Sequence, residues 1–155
     1  MAPKIGEERI EQAARLLSDE KAFTAAIEEM KAKQPVILAY LFSEGFDVLS
    51  SDERSFMLYL TIVVWKAIDL NGEPSDMVSE EQLSQAEDDN WDLLSSVKSK
   101  KFRERLDVFF DNHPQEELLA FLEDALNSEE EDEMLTAESR EPIFVSVKSV
   151  IDCLT

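Results

Sequence analysis

Ser50-Ser-Asp-Glu-Arg-Ser-Phe-Met-Leu-Tyr-Leu-Thr-Ile-Val-Val-Trp-Lys-Ala-Ile-Asp-Leu-Asn-Gly72 decides the fold of this chain. Ser50 and Glu53 have the spacing at which a hydroxyl and a carboxylate satisfy each other's backbone N–H groups at a helix start. A helix is therefore expected from Asp52, and Asn71-Gly72 supplies the residue types that close one after Leu70. Between these ends Phe56, Leu60, Val63, Val64 and Ala67 line one side. Met57, Leu58, Tyr59, Ile62 and Trp65 fill most of the rest. A helix apolar nearly all round belongs in the middle of a fold. Thr61, Lys66 and Asp69 interrupt its apolar run, which is shorter than the roughly 20 residues a membrane span needs.

Toward the N-terminus the same periodicity recurs. Ile10, Ala13, Ala14 and Leu17 share one face of a helix over about Glu7 to Leu17. Ser18 or Asp19 can cap a second, Glu20 to Lys33, with Phe23, Ala26, Ile27 and Met30 inward. Pro35 suits the first turn of a short helix, Val36 to Phe42, that Gly45 ends.

Toward the C-terminus, Ser79 with Gln82 repeats the capping-box spacing, and Val78 with Leu83 fits a hydrophobic staple. The helix they open should run from Glu80 to about Val97. Another over Lys100 to Asp111 places Leu106, Phe109 and Phe110 inward; Ser95, Ser96 and Ser99 mark a break between the two, with one long helix as the alternative. Pro114 precedes a helix from Gln115 to Asn127. An acidic linker at about 128–136 follows, and Pro142 starts a last helix carrying Ile143, Phe144, Val147, Val150, Ile151 and Leu154 at core spacing. Its β-branched residues leave a strand as the alternative. The expected fold is all-α, one domain over residues 1–155, an irregular bundle of six to eight helices around the apolar helix at about 52–70.

The chain has 155 residues, 44% of them hydrophobic, enough for one sizeable core. Cys153 is the only cysteine, so no internal disulfide forms, and the charged first 20 residues lack the apolar run of a signal peptide. Both point to a reducing, cytoplasmic setting. The net charge is −20, of which residues 78–155 carry −14 and residues 1–77 carry −6. A field of that sign repels nucleic acid and anionic lipid, so neither is expected as a partner; it favours a basic protein partner, or serves solubility alone. A homo-oligomer is compatible with the sequence.

Motifs that would carry chemistry are incomplete. Asp69, Asn71, Glu73 and Glu80 stand at positions one, three, five and twelve of a calcium-loop pattern, but the sixth position, which needs a sharply turning Gly, is Pro74. Asp88, Asn90 and Asp92 have three ligand spacings, but Leu93 stands where Gly is required; the segment reads as the solvent face of a helix with Trp91 turned inward. Carboxylates three apart, as in Glu8/Glu11 and Glu44/Asp47, share a helix face, yet at this acidity about eight such pairs arise by chance. No Glu-x-x-His pair, Gly-rich phosphate loop or G-x-S-x-G elbow occurs, and His113, the only histidine, reads as a helix-capping residue. Cys153 reads as a small core residue. No catalytic, metal or cofactor residues are assigned.

Two charged clusters remain. Lys98, Lys100, Lys101, Arg103 and Arg105 gather basic charge, with Lys98, Lys101 and Arg105 expected on one helical face; they suit an acidic partner or the protein's own carboxylates. Glu129, Glu130, Glu131, Asp132 and Glu133 form the densest acidic run and suit a basic partner. The sequence therefore points to a non-catalytic interaction or regulatory module. A divalent-metal enzyme built on scattered carboxylates and a structural or assembly subunit stand as the alternatives.

Overall fold

The computed structural model describes residues 4–43, 46–72, 76–111, 113–127 and 137–155. Among these the chain forms eight helices and no strand: α1 Glu7–Leu16, α2 Glu20–Lys33, α3 Pro35–Leu41, α4 Ser51–Leu70, α5 Glu80–Ser95, α6 Phe102–Phe110, α7 Glu116–Leu126 and α8 Ala137–Leu154. The all-helical expectation holds, and the last segment is helix, not strand.

Local chemistry sets most of the boundaries. Ser50 and Glu53 form the reciprocal capping box at the start of α4, and Ser79 and Gln82 form another at α5. Asp19 accepts a hydrogen bond from the Ala22 N–H at the start of α2. Gly72 follows the end of α4 with φ of 86°, a left-handed conformation that only Gly adopts without strain. Pro142 does not start α8. It lies inside a helix that begins at Ala137, where it has no N–H to offer the Glu138 carbonyl.

Helix α4 is central as expected: Met57, Leu60, Trp65 and the run Thr61–Val64 are buried. It shares that position with α8, whose residues 143–151 are buried without interruption. Helices α4 and α8 pack on each other; α1 and α2 cover α4, while α5 and α7 cover α8. The buried apolar side chains of all eight helices join in one cluster, from Ile5 to Leu154. No helix among the described residues is long and apolar enough to cross a membrane.

Candidate functional site

Burying residues 143–151 of α8 buries polar side chains too. Lys148 and Asp152 lie one turn apart and pair at 2.7 Å, with the Lys148 side chain only 6% exposed. Lys148 Nζ also donates to Asn90 Oδ1 at 2.7 Å and stands 5.1 Å from the centre of the Phe109 ring. The Asn90 amide nitrogen donates to Ser149 Oγ and Asp152 Oδ2. On the other side of the carboxylate, His113 Nε2 lies 2.9 Å from Asp152 Oδ1.

This network looks like an active site but is chemically closed. His113 Nδ1 accepts the Gln115 N–H, so Nε2 carries the ring hydrogen and donates it to Asp152. Neither nitrogen is left to act as a base. The Lys148 ammonium is held beside a carboxylate, with no lone pair for nucleophilic attack. Burial pushes the Asp152 carboxyl up, but His113, Lys148 and Asn90 together outweigh it and hold the group below its ordinary value. The cluster is a staple. It joins α5, α8 and the turn before α7, and the Gln115 side chain extends it by accepting the Ile5 N–H at 2.9 Å.

The structure corrects the sequence reading here. Trp91, expected inward, is 37% exposed, and Asn90 takes the inward position at 2%. The partners that make a buried Asn tolerable, Lys148, Ser149 and Asp152, come from a distant helix. His113 does not cap α7: Gln115 holds the N-cap position without a side-chain capping bond, and the imidazole instead accepts the Gln115 N–H and turns its other nitrogen to Asp152. Cys153 is partly buried, and burial first, then the Asp152 charge, pushes its thiol up to about 11, so it is no activated nucleophile.

The basic cluster does not form one face. Helix α6 begins only at Phe102, so Lys98 and Lys101 precede it, and both are exposed. Arg105 turns inward, pairs bidentately with Glu141 at 2.7 and 3.3 Å, and donates to the Val97 and Ser99 carbonyls. Arg103 pairs with Glu123 and Asp124. Two of its five basic side chains thus bind the protein's own carboxylates. The acidic run Glu129, Glu130, Glu131, Asp132 and Glu133 lies outside the described residues, as do Glu44 and Glu73. Among the described residues no three His, Cys, Asp or Glu side chains converge as a metal site would require.

The surface feature that sequence reading missed belongs to α5. This helix carries Glu80, Glu81, Glu87, Asp88, Asp89 and Asp92 and no Lys or Arg. None of the six forms an ion pair with a described residue, although six Lys and Arg side chains elsewhere do. Glu80 and Glu81 sit in the first turn, where the helix dipole and the free N–H groups favour them. Glu87 to Asp92 have no such compensation.

Between α3 and α5 runs a groove of about 400 Å³. Its floor is Val36, Ala39, Tyr40 and Leu83, and its rim is Glu80, Glu81 and Glu87. Gln34 fixes the two helices at one end: its amide nitrogen donates to the Asp76 carbonyl and its oxygen accepts the Val78 N–H, both at 2.9 Å. Burial raises the pKa of the Tyr40 phenol, and the nearby Glu87 carboxylate adds to it. A larger groove, about 570 Å³, lies between α1 and α7 over Phe56 and Phe121, but one of its carboxylates, Asp124, is paired with Arg103.

Comparison of the chain with protein-family models, curated proteins and solved structures gives no match.

Proposed function

We propose that this protein is a non-catalytic interaction module that engages a basic protein partner. The observation that carries the reading is the set of six carboxylates on α5 without a cation among the described residues to balance them. Like charges along one helix repel, which costs stability that a partner's Lys and Arg side chains would restore. The run Glu129 to Glu133 adds charge of the same sign. Exposed charge of this kind acts mainly on encounter rate and partner choice, and it is screened within about 8 Å at physiological ionic strength.

The test is titration of the full chain with a fluorescein-labelled Lys/Arg-rich peptide, and with an acidic peptide of equal length, at low and high salt. Binding of the basic peptide alone, weakening steeply with salt, is the expected result. Equal or absent binding of both overturns the reading.

A further inference from the structure

The groove between α3 and α5 differs from the rest of the acidic surface because its carboxylates stand over apolar side chains. Leu83 is 1% exposed and fixes the floor, while Ala39 is exposed and leaves room for an incoming group. All three rim carboxylates lack an ion pair with a described residue, which is not so for the rim of the α1/α7 groove. Along α5, Glu80, Ser84, Glu87 and Trp91 follow at spacings of four, three and four residues, so they share one helix face. That face therefore continues from the groove to an exposed indole, and Trp91 is one of only six large apolar side chains exposed among the described residues.

From this juxtaposition of apolar floor, unmatched acidic rim and exposed indole, we infer that the α3/α5 groove with Trp91 is the docking site for a basic segment of a protein partner, one that seats an apolar anchor on the floor between flanking Lys or Arg side chains. The inference rests on the proposed function and gives it a place. Charge complementarity selects the occupant: a second copy of this chain brings −20 to a rim that is already negative. Glu80 and Glu87 are about 10 Å apart along the helix axis at 1.5 Å per residue. Cations three residues apart in a polyproline-II segment share one face, at three residues per turn, and match that separation at about 3.1 Å per residue. Trp91 offers its face to such a cation and its apolar edge to the anchor.

The experiment uses a Trp-free peptide with a central Leu and Lys residues three apart around it, together with a scrambled peptide of the same composition. Trp65 is buried at 4% exposure, so a change in tryptophan emission reports on Trp91. The expected result is a blue shift on adding the patterned peptide, tighter binding of it than of the scrambled one, and loss of the shift in Trp91→Phe. Glu80→Gln/Glu81→Gln/Glu87→Gln should weaken binding about tenfold, the combined effect expected of three exposed charge pairs. Ala39→Lys, at an exposed helical position, should weaken it as much without touching the core. Glu7→Gln/Glu11→Gln/Glu117→Gln, with the same change of charge at the α1/α7 groove, should leave binding within about twofold. Helicity and melting temperature of each variant are checked by circular dichroism.

Binding lost equally in both triple variants, or equal binding of both peptides, overturns the groove while sparing the basic-partner reading. No binding of either peptide overturns both. A blue shift that grows with protein concentration in the absence of peptide assigns the groove to a second copy and overturns the inference.

Discussion

Removing Asp152 and removing Lys148 should have unequal effects, although the two side chains form one ion pair. Asp152→Ala takes away the carboxylate that Lys148, Asn90 and His113 all contact. Lys148 then keeps its charge at 6% side-chain exposure, with Asn90 Oδ1 as its remaining oxygen partner. Breaking a buried pair from one side costs about 3–5 kcal/mol. Asp152 is itself 28% exposed, so water replaces part of what is lost, and the expected cost is about 3 kcal/mol. Lys148→Met removes the buried charge instead. Asp152 keeps His113 and water, and the main loss is the unpaired Asn90 oxygen, about 1–2 kcal/mol, with the thioether packing on Phe109 in partial compensation. The double variant buries no charge and should cost about 2 kcal/mol, well below the sum of the single changes. Urea denaturation followed by circular dichroism gives all three values. For a domain of this length, Asp152→Ala should also lower the melting temperature by about 6–12 °C. The reasoning is refuted if Lys148→Met destabilises as much as Asp152→Ala, or if the two effects add.

Asp152 titrates below its ordinary value in the folded protein, so its contribution is present above the unfolded-state value, about pH 3.9, and is lost as pH falls through the lower folded value. Asp152→Asn should therefore flatten the acid limb of a stability–pH curve below about pH 4, and an unchanged limb would count against the network. Trp65→Ala at a 4%-exposed site should cost about 3–5 kcal/mol in urea denaturation, and near-native stability would contradict the central position of α4. Iodoacetamide should modify Cys153 more slowly than glutathione at neutral pH, because its thiol is pushed up to about 11; the two rates should converge in denaturant. Ser50→Ala should cost about 1 kcal/mol through loss of the capping box, read as a shift in the urea midpoint.

Helix existence was legible where the cause is local. Ser50 with Glu53, Ser79 with Gln82, and Gly72 each act within one or two turns, and the structure keeps them in those roles. Pro142 misled because proline favours the first turn of a helix, whereas α8 begins five residues before it and gives up the hydrogen bond that a residue 142 N–H would donate to the Glu138 carbonyl. The closed network was not legible. Lys148, Ser149 and Asp152 lie between the apolar positions of α8, and what makes them interior comes from far along the chain: Asn90, roughly 60 residues away, Phe109 and His113. The same pairing rotates α5 so that Asn90 goes in and Trp91 comes out, against the hydrophobic order of the two side chains. The α3/α5 groove was hidden for a related reason: Gln34 holds the two helices together through backbone groups of Asp76 and Val78, and no sequence spacing encodes that pairing.

The interior place of α8 bears on how the chain is made. Among the described residues it follows α1 to α7 in order, yet it fills the middle of the bundle. A chain emerging from its N-terminus can form α1 to α7 locally, but the slot between α4, α5 and α7 stays open until residues 143–151 arrive. Through that interval Met57 and Phe109, which Ser146 and Phe144 of α8 contact in the finished fold, face water or other apolar side chains, and the growing chain is open to non-native collapse and to self-association. Closure then comes late and together: Lys148 meets Asn90 and Asp152 meets His113 as α8 seats. Synthesis that pauses before α8 should therefore leave a partly collapsed, protease-sensitive species, which becomes resistant only once α8 has emerged and seated.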